Sequence, residues 1–197
     1  MIHPHTALRF ISDEIGHGVF ATQHIPAGTI TWVRDPLDRE LTSLEVANLA
    51  AVCKPALETY TYRNQHGNYV LCWDIARYMN HSFKPNCMAT TYGFEVAVSN
   101  IKPGEQLTND YGTLNIVEPF RAFDEGTKRK TVYPDDLLRY HKRWDQLLVK
   151  VMAKIQQVEQ PLQELIQENA WQNLRDIADG KILPESIRMN YYHPDND

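Results

Sequence analysis

The sequence predicts an α+β fold, a mostly β domain of short antiparallel strands followed by a C-terminal helical extension. Between residues 7 and 112, runs of roughly five residues rich in Val, Ile, Thr and aromatics alternate with turn signals. After about residue 133 the apolar residues switch from strand-like to helical spacing. With 197 residues, 43% hydrophobic and 23% charged, the composition is that of a globular protein. The length suffices for one core with an appendage.

Six strands are predicted, at "ALRFI", "GVFAT", "TITWV", "NYVLCW", "FEVAV" and "QLTNDY". Turns separate them at "IPAGT" (25–29), "NQHGN" (64–68), "YG" (92–93) and "IKPGE" (101–105). One helix interrupts the β region, in "LTSLEVANLAAVCK", where Thr42 precedes Glu45 by three residues as in a capping box. Val46, Leu49, Ala50 and Cys53 follow at helical spacing and are expected to face the core.

In the C-terminal part, Pro134 suits a first helical position, with Asp135 and Asp136 where the helix dipole favours acids. Leu137, His141, Trp144, Leu148, Val151, Ile155 and Val158 then form a narrow stripe. Such a stripe is either a packing face on the chain's own domain or a coiled-coil seam that would make a homodimer through this helix. The first helix is expected over about 134–159 and, since Pro161 ends or kinks it, a second over about 161–179, stopping at Gly180. The tail from Ile182 carries no readable signal.

A net charge of −5 argues against a nucleic-acid binder and favours a cationic partner. Lys128-Arg129-Lys130 is the sole basic cluster and reads as a solvated turn. Cys53, Cys72 and Cys87 are odd in number and widely spaced, which fits neither a disulfide framework nor a zinc motif. No secretory leader or membrane-length apolar run is legible, so a soluble, intracellular protein is expected, in cytoplasm or nucleus.

Three segments carry chemistry. In "EIGHGVFAT", Gly16 and Gly18 flank His17, letting backbone approach a ligand. In "RYMNHSFKPNC", Asn80-His81-Ser82 follows Tyr78 and Met79. In "IKPGEQLTNDYGTL", a Pro-Gly turn and a short strand lead to Asp110-Tyr111-Gly112. Each alone also fits an ordinary turn or an anchored core aromatic. Together and in this order, with 31 residues from Asn80 to Tyr111, they resemble the SET-domain family of protein lysine methyltransferases.

The resemblance spans about residues 7–120 and implies a SET-like catalytic domain over 1–120, with a linker and helical extension over 121–197. It implies a pseudoknot-like core in which the second and third segments thread past each other. It also implies S-adenosylmethionine as cofactor: Gly16, His17 and Gly18 would bring backbone to it, Asn80 and His81 would hydrogen-bond it, and Tyr78 and Met79 would form the floor. Tyr111 would be the catalytic group, and Phe120 either stacks on the cofactor's adenine or is a core residue. Asp110 and Glu105 would brace the backbone, and His81 would position cofactor instead of acting as a base.

The implied partner is a lysine-containing protein, histone or non-histone, with no nucleic acid or membrane. Phe83 stands where many relatives have Cys, and no cysteine-rich segment flanks the domain, so no zinc is expected. The helices after Pro134 would then have to cover the channel. The alternative reading is a SET-like binding module without catalytic activity.

Overall fold

A computed structural model describes residues 1–193; the last four residues of the tail read above lie outside the described region. The chain opens with an antiparallel hairpin, β1 (Thr6–Ser12) and β2 (Gly16–Ala21). Next come β3 (Ile30–Val33), β4 (Arg39–Leu41), the helices α1 (Ser43–Ala47) and α2 (Lys54–Tyr60), then β5 (Thr61–Arg63) and β6 (Tyr69–Leu71). The motif region holds β7 (Asn80–His81), β8 (Cys87–Ala89), β9 (Phe94–Ala97) and β10 (Thr108–Asn109). After β11 (Phe120–Arg121) and β12 (Thr131–Val132) come α3 (Asp136–Met152), α4 (Glu168–Ala178) and a 3-10 turn, Ile187–Asn190.

The strands form small sheets in the orders β1-β2, β3-β9-β8, β4-β6-β5, β7-β10 and β11-β12. Among the described residues, all strand pairings are antiparallel except one: β10 runs parallel to β7, with Thr108 opposite Asn80 and Asn109 opposite His81. The expected fold of short antiparallel strands is present, and the one parallel pair lies where the second and third motif segments run side by side. Asn86 splints this junction, its amide donating to the Gln106 carbonyl at 2.8 Å and accepting from the Thr108 N–H at 2.9 Å.

The β3-β9-β8 sheet is buried on both faces. On one side Ile30, Val33, Met88, Phe94 and Val96 pack against Leu137, Trp144, Leu148, Val151 and Ile155. On the other, Trp32, Cys87 and Ala97 join Val19, Ile25, Met79 and Leu107. Side chains alternate along a strand, so Phe94 and Val96 face the helices while Glu95 points the opposite way.

This burial settles the stripe: Leu137, Trp144, Leu148, Val151 and Ile155 are all at most 5% exposed, covered by the chain's own sheet. The homodimer seam is therefore corrected, because the apolar surface it needs is already used. Helix bounds differ too. α3 stops at Met152 in place of 159, its C-terminal carbonyls turning into 3-10-type bonds such as Ile155 N–H to Met152 O. α4 starts only at Glu168, after a 3-10 turn at Gln163–Leu165 next to Pro161.

The Thr42/Glu45 capping box forms as its spacing requires. The apolar face expected behind it is not core: α1 buries nothing, and Val52 is 85% exposed. Five residues cannot present two turns of one face to the core, and Asn48 ends the helix before Cys53 is reached.

Candidate active site

Local geometry begins with the Gly-x-Gly turn. Gly16 has φ +78°, a left-handed conformation that glycine adopts without a Cβ clash. Gly18 is needed for space: a Cβ there would come within 2.5 Å of Gln106 Nε2, 2.7 Å of Ile11 Cδ1 and 3.0 Å of Asn80 Nδ2. Asn80 reaches back to this turn, its amide donating to the His17 carbonyl at 2.9 Å. The His17 ring itself is exposed and lies between Phe10 and Tyr78.

The polar triplet ties three segments together. Asn80 holds the Gly-x-Gly turn, the Ser82 hydroxyl donates to Glu125, and His81 Nδ1 accepts the Tyr111 N–H at 3.1 Å. An accepting Nδ1 means a neutral ring, and burial pushes the imidazole down to about 4. Its contact with Asp110 at 3.9 Å is accordingly no ion pair. The rings of Phe83, Tyr111 and Phe120 surround His81 at 4.4, 5.4 and 5.9 Å.

Tyr111 sits in a 3-10 turn (Tyr111–Thr113) that Asp110 caps by accepting the Gly112 N–H. Its hydroxyl donates to the Met79 carbonyl at 2.9 Å. Burial, reinforced by the Glu95 carboxylate, raises this phenol to about 12, so it is protonated at neutral pH. It lies on the wall of a cavity of about 570 Å³, among Trp32, Tyr62, Cys72, Met79, Glu95 and Phe120.

Of the expected site residues, Met79, Tyr111 and Phe120 line this cavity, whereas Gly16, His17, Gly18, Asn80 and His81 form the adjoining corner. Tyr78 is half-buried between His17 and Tyr60. Phe120 is 40% exposed, with its ring 6.1 Å from Tyr111, and is not a core residue. The cavity's cover comes from residues 58–63 and 114–118, not from the C-terminal helices. α3 and α4 pack on the far face of β3-β9-β8, which corrects the expectation that they close the channel.

Asn115 fixes one covering segment, donating to the Arg63 and Asn190 carbonyls and accepting the Tyr192 N–H. The tail that carried no sequence signal thus supports the cavity wall. Among the described residues, no group of three or more His, Cys, Asp and Glu is arranged to hold a metal ion.

Two contributors escaped the sequence reading. Arg129 is no solvated turn residue: its side chain is 12% exposed, and its guanidinium bridges Asp110 and Asp136. It also lies over the Phe83 and Tyr140 rings at 4.7 and 4.4 Å. Gly112 makes room for this bridge, since a Cβ there would meet Asp136 Cβ at 2.9 Å. Glu95 is the other: the one charge in "FEVAV", a strand with all four assigned positions buried, is a legible anomaly.

Two motif strands held in parallel beside a tyrosine-walled cavity thus bring the second and third motif segments into one site. Residues 16–112 match the family described as the SET domain. A SET domain supports a methyltransferase-type function in general, use of S-adenosylmethionine as such enzymes generally do, and a protein as substrate. A search of curated proteins finds none that matches the chain. Among the described residues, no helix is long and apolar enough to cross a membrane.

Proposed function

We propose that the chain is an S-adenosylmethionine-dependent protein-lysine N-methyltransferase with Tyr111 as its catalytic residue. The observation that carries this reading is the neutral Tyr111 phenol, anchored on the Met79 carbonyl at the wall of a cavity it shares with Trp32, Tyr60, Tyr62, Tyr69 and Phe120. A lysine side chain entering there leaves water, which lowers its amine pKa from about 10.4 and raises the fraction able to attack. Tyr111 orients that amine, and Trp32, Tyr62 and Phe120 keep water from the alkyl stem.

The adjoining corner fits the cofactor. His81 Nε2 and Gln106 Nε2 are buried without protein partners, and Gly18 leaves backbone open where a side chain would intrude. Gly16, His17, Gly18, Asn80 and His81 would hold it, with Tyr78 and Met79 beneath and Phe120 at the rim. When bound, it supplies an electrophilic methyl group on a sulfonium. The net charge of −5 favours a lysine-rich protein partner, histone or not.

Calorimetry with S-adenosylmethionine, and transfer of labelled methyl groups to lysine-bearing proteins in cell extract, test the reading. Tyr111→Phe should lower transfer by about 10²- to 10³-fold, the cost of losing one preorganised polar group, while changing cofactor binding little. Absence of cofactor binding at high micromolar concentrations would overturn the proposal and leave a SET-like binding module.

A further inference from the structure

Glu95 is a buried carboxyl group without a counter-charge among the residues that line the cavity. It is 7% exposed. One oxygen accepts the Asn109 amide at 3.0 Å, and the other, Oε2, has no partner. Among the described residues it makes no ion pair, although buried acids are ordinarily paired or coordinated. An apolar residue would serve the strand better: Phe94, Val96 and Ala97 show what packing alone selects there. The acid is held instead on the face turned away from the helices, in the same cavity as Tyr111 and two residues along the strand from Ala97.

The groups facing it do not neutralise it. Tyr62 on β5, Cys72 beyond β6, Cys87 on β8 and Tyr111 are all pushed up, by burial above all and with Glu95 among the further causes. They stay uncharged at neutral pH, Asp38 and Asp74 add negative charge nearby, and the cations acting on the same groups, Arg34 and the Met1 amine, are paired with Glu40 and Asp35. The cavity's two arginines are engaged elsewhere, Arg63 over the Tyr69 and Tyr192 rings and Arg77 over Tyr78. What is missing beside Glu95 is a cation that arrives from outside.

We infer that Glu95 is the counter-ion and proton acceptor for the substrate's alkylammonium group, an assignment that rests on the methyltransferase reading above. The ammonium N–H bond breaks and an O–H bond forms at Oε2, which leaves the lone pair on nitrogen. That lone pair takes the methyl group as the donor's S–CH3 bond breaks, its electron pair staying on sulfur. The proton on Glu95 passes to water once the product leaves. Asn109 holds the carboxyl group by its other oxygen throughout. Burial, partly offset by this amide, lifts the acid to about 7, where it accepts a proton readily and still loses it again.

The test uses the full chain with n-butylammonium as the cationic probe and 1-pentanol as a neutral one. Glu95→Gln keeps an oxygen for Asn109 and removes only the charge. It should weaken butylammonium binding at least ~10-fold and leave pentanol binding unchanged. Wild-type affinity for butylammonium should rise as pH passes about 7, and the variant's should stay flat. Rim charges at Glu58, Glu118, Arg63 and Arg77 are common to both proteins and cancel in the comparison.

A second readout needs no variant that must fold: the Glu95 carboxyl carbon, followed by NMR in the wild type, should titrate about one pH unit lower with butylammonium bound. Equal butylammonium binding by both proteins, equal losses for both probes, or an unmoved Glu95 titration would each overturn the assignment. None of these measurements uses S-adenosylmethionine. A failure of cofactor binding therefore counts against the methyltransferase reading and not against Glu95 as the ammonium site.

Discussion

Replacing Arg129 with Met should be among the most damaging single changes outside the apolar core. The substitution keeps the alkyl stem and removes the guanidinium that bridges Asp110, 2% exposed, and Asp136, fully buried. Asp110 would keep only the Gly112 N–H, and Asp136 the Tyr133 N–H at 3.0 Å. Breaking a buried pair in this way costs about 3–5 kcal/mol, because charge is left desolvated and unanswered. Arg143 acts on Asp110 at longer range, which favours the lower end.

For a chain of this size, ~3 kcal/mol corresponds to a fall of roughly 6–12 °C in melting temperature. The sign of the pH dependence follows from the same geometry. Burial raises the Asp110 carboxyl and Arg129 pulls it back; without Arg129 it rises further above its unfolded value. Such a group favours the fold at low pH and loses that contribution as pH climbs through its folded pKa. Thermal melts of wild type and variant should differ by most at pH 7 and by least near pH 4.5. Adding Asp110→Asn and Asp136→Asn to the variant should recover much of the loss. A fall of under 2 °C at pH 7, or an equal fall at both pH values, would refute the reasoning.

Further expectations follow from the same contacts. His81 is neutral in the fold, held near 4 by burial, against about 6.5 when unfolded. Stability should therefore drop as pH falls from 6.5 towards 4, by at most about 3 kcal/mol from this residue; histidine NMR should show its ring neutral at pH 5. Gly18→Ala forces Gln106, Ile11 and Asn80 aside, so it should cost about 1–3 kcal/mol in denaturant melts and weaken S-adenosylmethionine binding by calorimetry. Leu148→Ala should cost about 2–5 kcal/mol. A fragment ending at residue 133 would uncover Ile30, Val33, Phe94 and Val96, and should show no cooperative melt, while the intact chain sediments as a monomer.

The sequence announced its strands where burial is two-sided or turns are glycine-marked. "TITWV" and "FEVAV" coincide with β3 and β9 because all their assigned positions are buried. β4, β5, β7, β8, β11 and β12 escaped because two or three residues are too short for a period to register, whereas the equally short β6 and β10 lie within longer apolar or turn-marked runs. The helical stripe fixed which side of α3 is apolar, but the same stripe serves a partner helix or a sheet. Only the apolar face of β3-β9-β8 that it covers decides between them. Local signals likewise found Thr42 and Glu45, yet could not say that α1 would lie on the surface.

The division between legible and illegible parts of the site has one physical origin. Gly16, Gly18, Asn80 and Tyr111 stand in short segments whose residue order is itself a signature, so each could be placed before any fold was known. Arg129 and Asn115 act across distances in sequence: Arg129 reaches back 19 residues to Asp110, and Asn115 reaches forward 75 to Asn190. Neither sits in a pattern, because a buried ion bridge or a hydrogen-bonded splint constrains only where two side chains meet. Glu95 lies between these cases. Its strand is legible and its acid is conspicuous there, but the meaning of that acid depends on a buried, partnerless oxygen of a residue that lines Tyr111's cavity. A buried carboxylate costs several kcal/mol unless something offsets it. Stability alone therefore selects against a charged Glu95, which is why burial lifts it to about 7, and the ammonium group inferred above is the partner that would hold it ionised.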